Sequence, residues 1–276
     1  MIELPEAYVL SEQINKTLTG KTITAATANA FPHGFAFYSG DPAAYGPMLT
    51  GKTITSSNPG TGYTCGGNVE IICGDMLLVI STPIKYHEPG AKGPAKHQLL
   101  LEFDDGSRMS CTVQMWGSML CYPPDSDTPP PVYTINKCPS PLSEAFDRDY
   151  FMWLFDGLKP SLSAKAFLAT EQRIPGLGNG ALQDILFNAR IHPKRKLETL
   201  SAEDKERMFD SVRSTLAAMR DQGGRDTEKD LFNEWGGYST VLSNKTAAAP
   251  CPVCGGPIVK EAFLGGKVYY CPVCQK

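Results

Sequence analysis

The feature that most constrains how this chain can fold is a pair of cysteine knuckles near its end. Cys251-Pro-Val-Cys254 and Cys271-Pro-Val-Cys274 are separated by sixteen residues. Two Cys-x-x-Cys knuckles at such a spacing form the four-thiolate pattern of a zinc site. Two disulfides would use the same residues, but the chain carries no export signal, and thiols outside oxidising compartments stay reduced. The pattern therefore predicts one structural Zn²⁺ per chain, held by Cys251, Cys254, Cys271 and Cys274.

The segment between the knuckles has the pattern of a β-hairpin. Residues 257–263 and 267–270 are predicted as strands, and Leu264-Gly265-Gly266 is predicted as the turn between them. A hairpin brings the two knuckles to one ion, so we expect a zinc ribbon over residues 247–276. A closed four-cysteine site leaves no open coordination position, and the metal is therefore expected to be structural.

The remaining five cysteines lie in the first half of the chain at irregular spacing. Free cysteine behaves as a small apolar side chain and is often buried, so packing is the expected role of these five. They are Cys65, Cys73, Cys111, Cys121 and Cys138.

Length and composition indicate an ordinary globular protein with more than one domain. The chain has 276 residues, of which 42% are hydrophobic and 20% charged, which excludes a disordered or collagen-like chain. No apolar run approaches the length of a membrane span, and the first residues lack the basic-then-apolar layout of a secretion signal. We expect a cytoplasmic monomer.

The charge distribution is uneven. The net charge of −3 argues at first sight against a nucleic-acid partner. Residues 1–150 hold 9 Lys or Arg against 15 Asp or Glu, a balance of −6, whereas the balances are +1 for residues 151–249 and +2 for residues 250–276. The second half is therefore the part that repels a polyanion less.

The first half is predicted as a helix followed by strands. The helix covers residues 4–18. Alternating apolar residues, β-branched residues and turn signals predict six strands, over residues 21–28, 52–56, 69–73, 76–81, 98–103 and 108–115. Strands without alternating helices predict an antiparallel β-sandwich, here over residues 1–121. Prolines crowd residues 122–141, which are predicted as an interdomain linker.

Residues 142–246 are predicted as a helical domain, so the fold class of the whole chain is α+β. Ser201-Ala-Glu-Asp204 has the form of a capping box at the start of the longest helix. The predicted helices cover residues 142–158, 162–171, 178–189, 201–221 and 226–235.

A glycine-rich loop precedes the third of these helices. In Pro175-Gly176-Leu177-Gly178-Asn179-Gly180, backbone N–H groups at the positive end of a helix can surround an anion, and Asn179 adds a side-chain donor. This arrangement suits one phosphate of a DNA backbone. A tight turn that needs glycine only for its dihedral angles explains the loop equally well.

Three motifs follow one another along the chain: Glu3-Leu4-Pro5-Glu6 at the start, Pro-Gly-Leu-Gly-Asn at 175–179 and the cysteine pair ending in Cys274-Gln275-Lys276. With these motifs in this order, the sequence resembles the formamidopyrimidine-DNA glycosylase / endonuclease VIII family. Gln222-Gly223-Gly224 and Ile191-His192-Pro193 are similar to further family segments. Together these motifs span almost the whole chain.

The resemblance implies a β-sandwich, a helix–two-turn–helix domain and a zinc ribbon, with damaged double-stranded DNA as the partner. It implies base-excision repair: a glycosylase that removes oxidised bases and an AP lyase step that nicks the strand. Flipping of the damaged nucleotide and a wedge that fills the gap are part of this implied activity. The site residues that it implies are Glu3 and Glu6 for catalysis, and Asn179, Lys159, Lys165, Lys245 and Trp116 for DNA binding. From the residues alone, Trp116 is better explained as a core residue and Glu3 as a partner of a helix dipole.

The sequence departs from the family pattern at three places. The family's nucleophile is an N-terminal proline amine, whereas the second residue here is Ile2, in front of which we expect Met1 to be retained. The family's strand lysine has no counterpart, since no Lys or Arg occurs from Thr53 through Ile84, and Gly265-Gly266 stands where the ribbon arginine is expected.

Three hypotheses about function follow from these observations. The first is a glycosylase in which Glu3 activates water. The second is a DNA-binding protein of the same fold without activity, and the third, more distant, is a zinc-ribbon protein that contacts another protein.

Overall fold

The computed structural model describes residues 2–60, 67–125 and 138–276, which form two compact units. The sheet unit consists of the described parts of Met1–Ile2, Glu6–Lys137 and Glu228–Gly236. The helix–ribbon unit consists of Glu3–Pro5, Cys138–Thr227 and Gly237–Lys276. Residues 126–137 of the predicted linker, and Cys65, lie outside the described residues.

The sheet unit is a sandwich of two β-sheets, as predicted. One sheet has the strand order β1-β7-β8-β6 and the other β2-β9-β5-β4-β3; neighbours are antiparallel except β2 and β9. The strands are β1 (Ile23–Ala28), β2 (Ala36–Tyr38), β3 (Ile54–Asn58), β4 (Val69–Cys73), β5 (Met76–Ile80), β6 (Ile84–His87), β7 (Leu99–Phe103), β8 (Arg108–Cys111) and β9 (Gly117–Tyr122). The helix α1 covers Leu4–Thr17, and a short helix α2 covers Tyr45–Leu49.

Strands β2, β6 and β9 were not predicted, for physical reasons. Strands β2 and β6 have only three and four residues. Five of the six residues of β9 are buried, so this strand lacks the alternation of a half-exposed strand. Strand β8 ends at Cys111, four residues before the predicted end.

One hydrophobic core lies between the two sheets. It combines Leu10 and Ile14 of α1 with inward-facing residues of both sheets, such as Ile71 and Leu101. Three of the five scattered cysteines, Cys73, Cys111 and Cys121, are buried in this core. Burial raises the pKa of the Cys73 and Cys121 thiols to about 12, which makes both unreactive near neutral pH.

The helix–ribbon unit contains α3 (Arg148–Trp153), α4 (Asn179–Asn188) and α5 (Ala202–Asp221), together with a single π-helical turn over Ala166–Thr170. The predicted capping box is present: the Ser201 hydroxyl accepts from the Asp204 amide, and the Asp204 carboxylate accepts from the Ser201 amide.

Two helix predictions are corrected. The helix predicted over residues 142–158 is limited to α3, which begins where the Asp147 carboxylate accepts from the Tyr150 amide. Residues 226–235 form no helix, because their backbone groups bond outside a helical pattern. The Asp226 amide donates to the Tyr238 carbonyl, and the Gly236 amide donates to the Glu228 carbonyl.

The end of the chain is the predicted hairpin. Strands β10 (Val259–Phe263) and β11 (Gly266–Tyr270) are antiparallel, and Phe263 pairs with Gly266. The two turn residues, Leu264 and Gly265, have φ values of 47° and 73°, the left-handed pair that a two-residue hairpin turn requires.

Among the described residues, no helix is both long and apolar enough to cross a membrane.

Candidate functional site

The Glu3 carboxylate lies at the start of α4. Its Oε1 accepts from the Gly180 amide at 2.9 Å, and its Oε2 accepts from the Ala181 amide at 2.9 Å. Glu3 is 7% exposed, and the Leu4 amide next to it donates to the Gly176 carbonyl. Two N–H donors at the positive end of the α4 dipole thus hold the Glu3 carboxylate in place.

Gly178 and Gly180 of the loop must be glycines because other side chains occupy the space that a Cβ would need. A Cβ on Gly178 would lie 2.4 Å from Cδ of Glu3. A Cβ on Gly180 would lie 2.9 Å from Oε1 of Glu3 and 1.6 Å from Nη1 of Arg225. From the sequence, a phosphate or a tight turn could explain these glycines. The structure shows a third explanation: the amides of Gly180 and Ala181 bind the Glu3 carboxylate of the chain itself, and this carboxylate leaves no room for a side chain at residues 178 and 180.

The guanidinium of Arg225 is the second charged group of the site. Its Nη1 lies 3.3 Å from Oε1 of Glu3, and Arg225 is 1% exposed. A buried arginine beside a buried carboxylate forms an ion pair whose desolvation must be offset by further hydrogen bonds.

A further carboxylate completes this buried network. Asp184 lies one turn after Gly180 on α4, is fully buried, and accepts from the amides of Val241 and Leu242 at 2.9 and 2.8 Å. Burial raises the pKa of Asp184, against the opposing effects of those amides, of the Tyr238 hydroxyl and of the Arg225 charge. Asp184 therefore connects the helix to the segment that leads into the ribbon.

Asn179 and Lys165 meet the ribbon hairpin. Asn179, the first residue of α4, donates from Nδ2 to the Lys267 carbonyl at 2.7 Å, while its buried Oδ1 has no hydrogen-bond partner in the described part of the chain. Lys165 is 2% exposed and donates from Nζ to the Phe263 carbonyl at 2.5 Å. Burial lowers the pKa of Lys165. Among the described residues Lys165 forms no ion pair, so no carboxylate neutralises its charge where α4 meets the hairpin. We call the place where Lys165 and Asn179 meet the hairpin the electropositive recess.

The other residues that the resemblance implied differ in exposure and in pairing. Lys159 is exposed, and Lys245 is paired with the carboxylate of Asp226 at 3.6 Å. Glu6 and Trp116 belong to the sheet unit, where Glu6 is 5% and Trp116 44% exposed. The core alternative for Trp116 is therefore wrong.

The four ribbon cysteines fit a zinc ion. Their sulfur atoms all lie within 4.8 Å of one another, with 3.7 Å between Cys251 and Cys274 and 3.4 Å between Cys254 and Cys271. Four thiolates at about 2.3 Å from a tetrahedral Zn²⁺ are about 3.8 Å apart, whereas a disulfide is about 2.05 Å long. The ribbon thus holds one structural zinc.

Comparison with known proteins agrees with this arrangement. Residues 138–229 match the family model described as the formamidopyrimidine-DNA glycosylase H2TH domain, and residues 249–276 match the model of the zinc finger found in FPG and IleRS. The formamidopyrimidine-DNA glycosylase of Rhodopseudomonas palustris (strain TIE-1) is 26% identical, and the match covers 100% of both chains. The enzyme of that name from Symbiobacterium thermophilum is 28% identical over 100% of this chain and 89% of its own.

Two solved structures have the same fold. The crystal structure of the MutM (Fpg) protein from Thermus thermophilus has a TM-score of 0.80 at 22% identity, covering 99% of this chain and 98% of the other. The complex of Lactococcus lactis Fpg with DNA containing an abasic site has a TM-score of 0.79 at 22% identity, covering 99% of both chains. The chain belongs to the formamidopyrimidine-DNA glycosylase / endonuclease VIII family.

Sequence reasoning missed Arg225, Asp184 and the role of Gly266. A Cβ on Gly266 would lie 3.4 Å from both Cγ of Asn179 and Nζ of Lys165. The only sequence signal for Arg225 was its place directly after Gly223-Gly224, and no pattern in the chain indicated that its charge is buried.

Proposed function

We propose that this protein is a DNA glycosylase that excises damaged bases from double-stranded DNA in the cytoplasm, and that it acts as a monomer. The observation that carries the proposal is the buried carboxylate of Glu3, which the amides of Gly180 and Ala181 hold at the start of α4, next to Asn179. Full-length relatives are named formamidopyrimidine-DNA glycosylases. Related structures of Lactococcus lactis Fpg are complexes with DNA that contains an abasic site or an oxidised pyrimidine.

DNA binding is assigned to the electropositive recess and its surroundings. The Asn179 amide and the Lys165 ammonium now donate to hairpin carbonyls, and a phosphate oxygen is a stronger acceptor for both because it is charged. Lys159 is exposed and free to approach a phosphate, whereas Lys245 must first exchange its contact with Asp226. In the sheet unit, Trp116 is exposed enough to stack in the gap that a flipped nucleotide leaves.

The chemistry is assigned to Glu3. The carboxylate takes a proton from a water molecule, the water oxygen bonds to C1′ of the sugar, and the bond between C1′ and the base breaks. The base leaves with the bonding electron pair as an anion and takes a proton from solvent, and Glu3 returns its proton to solvent, so atoms and charge balance. This route needs no amine nucleophile, which is consistent with Ile2 at the second position and with Ile2 being buried in the core of the sheet unit. Glu6 is proposed as a second catalytic carboxylate.

The test is incubation of the zinc-loaded protein with duplexes that carry oxidised, alkylated or abasic sites, with and without borohydride. We expect base release from at least one lesion, no covalent adduct, and loss of release in Glu3→Gln with DNA affinity unchanged. A trapped adduct would instead show an amine mechanism, and intact-mass measurement of the first residue would identify the amine. Failure to bind any of these duplexes at low salt would contradict the proposal.

The second candidate is a lesion-binding protein without activity. It is favoured by one observation, the absence of any Lys or Arg from Thr53 through Ile84, where the family has its strand lysine. Tight binding of a lesion duplex with neither base release nor strand cleavage would support it.

A further inference from the structure

We propose that Arg225 is a positioning residue that leaves Oε2 of Glu3 as the single oxygen able to accept a proton. The inference rests on the proposed function, because it assigns a task to each oxygen of the carboxylate that activates water. Arg225 itself contacts no reacting atom in this scheme; it acts through Glu3.

The two oxygens of the Glu3 carboxylate accept different numbers of contacts. Each carboxylate oxygen can accept about two hydrogen bonds. Oε1 has two neighbours, the Gly180 amide at 2.9 Å and Nη1 of Arg225 at 3.3 Å. Oε2 has one among the described residues, the Ala181 amide at 2.9 Å. The remaining acceptor position of Glu3 is therefore on Oε2.

The guanidinium of Arg225 is packed against Gly180. A Cβ on Gly180 would lie 2.8 Å from Cζ and 1.6 Å from Nη1 of Arg225, so the guanidinium lies directly against the backbone of Gly180. Any side chain larger than hydrogen at residue 180 would push the guanidinium away from Oε1. The contact between Arg225 and Glu3 is thus set by the start of α4.

The backbone of Arg225 is held on both sides. The Tyr238 amide donates to the Gly224 carbonyl at 2.9 Å, and the Asp226 amide donates to the Tyr238 carbonyl at 2.8 Å. Gly224 has a φ of 95°, a left-handed conformation that directs the chain into this pairing. The guanidinium therefore extends from a fixed Cα rather than from a loose loop.

The charge of Arg225 acts on two buried carboxylates. Arg225 lies within electrostatic range of two buried carboxylates, those of Glu3 and Asp184. Both carboxylates are also bonded to backbone amides, so their positions do not depend on the arginine alone. Removal of Arg225 leaves Glu3 at the helix start but frees an acceptor position on Oε1. Oε1 can then bind the water molecule in place of Oε2, in a geometry that does not suit attack on C1′.

The test is single-turnover base release with the full-length, zinc-loaded protein on its best lesion duplex. We expect Arg225→Ala to lower the rate of base release by roughly 10- to 100-fold, because misplaced reacting groups lose rate steeply. The dissociation constant for the duplex should change by less than about twofold, because a guanidinium that is 1% exposed is not available to a DNA phosphate. Arg225→Lys should recover part of the rate.

A rescue experiment separates positioning from general destabilisation. Guanidinium ion at tens of millimolar should restore base release to Arg225→Ala but not to Glu3→Gln. Urea, which has the same shape without the charge, should restore neither. An Arg225→Ala protein that retains its zinc and releases base at the wild-type rate would overturn the inference, as would equal rescue by urea.

A second measurement keeps the inference testable if the wild-type protein releases no base, an outcome that would refute the proposed function alone. Glu3→Gln, Arg225→Met and the double variant are compared by their denaturation midpoints; if Arg225→Met does not fold, Arg225→Lys replaces it. Because the two side chains interact, the shift of the double variant should be smaller than the sum of the single shifts. Additive shifts would contradict the pairing of Arg225 with Glu3.

Discussion

Gly266 of the ribbon hairpin faces Asn179 at the start of α4: a Cβ on Gly266 would lie 3.4 Å from Cγ of Asn179 and equally far from Nζ of Lys165. A side chain at residue 266 would therefore extend into the electropositive recess. Gly266→Arg should tighten binding to a lesion duplex several-fold at low salt and steepen the salt dependence by about one unit of slope, as one added phosphate contact does. Gly266→Ala, which adds contact without charge, is the matched control and should leave affinity unchanged. Weaker binding by the arginine variant would contradict a phosphate in this recess.

Loss of the Asn179 amide should have the opposite effect. Asn179→Ala should weaken duplex binding severalfold and lower the salt slope by less than one unit, since a neutral amide releases no counterion itself. Titration of a fluorescent duplex at several salt concentrations measures both quantities. Asn188→Ala, at the other end of α4, removes an amide that donates to the Thr215 hydroxyl and should not change affinity. Unchanged affinity in Asn179→Ala would remove Asn179 from the phosphate-binding set.

The ribbon should depend on its metal. Cys271→Ser removes one of four thiolates, and we expect less than one zinc per chain, an unfolded hairpin and a large loss of DNA affinity. Zinc is measured by elemental analysis of the purified protein. Cys138→Ser is the control, since Cys138 is a half-buried cysteine outside the ribbon. A Cys271→Ser protein that keeps both zinc and affinity would contradict the structural role of the four-cysteine site.

The sheet unit should lose stability as the pH falls below neutrality. Burial foremost, and then the charges of Lys85 and Arg108, lower the pKa of His87 below its ordinary value of 6.5. The unfolded chain then binds a proton that the folded chain resists, so the free energy of unfolding decreases as the pH falls through about 6.5. His87→Gln, which can keep a hydrogen bond to Ser110, should show a shallower decrease between pH 7.5 and 5.5 in urea denaturation. The same substitution at the less buried His33 is the control. An identical pH profile for His87→Gln and the wild type would refute this assignment.

The sequence predicted the parts of the fold whose signals are local. The knuckles of Cys251 and Cys271 and the capping box of Ser201 depend on residues within a few positions of one another, and all three form as predicted. Strand β9 was missed because its buried residues do not alternate with exposed ones. The segment 226–235 was missed because its backbone hydrogen bonds, to residues such as Tyr238 and Tyr86, leave no local signal in the sequence.

The candidate site shows the same division. Glu3 and Asn179 were predicted from their motifs, but their hydrogen-bond partners were not. For the glycine-rich loop a phosphate site and a tight turn were equally good explanations, whereas the Gly180 amide donates to Glu3, 177 positions away. Arg225 could not be predicted because nothing local distinguishes a buried arginine from an exposed one.

The hydrogen bond from Gly180 to Glu3 also determines when the site can be completed during protein synthesis. Translation proceeds from the first residue, so the third residue leaves the ribosome long before its partners in α4 and Arg225 exist. Closing so long a loop carries an entropic penalty that only the assembled helix can offset. Glu3 therefore stays exposed and hydrated until most of the polypeptide has been made. A half-synthesised chain lacks Gly180 and Arg225 and cannot form the carboxylate site.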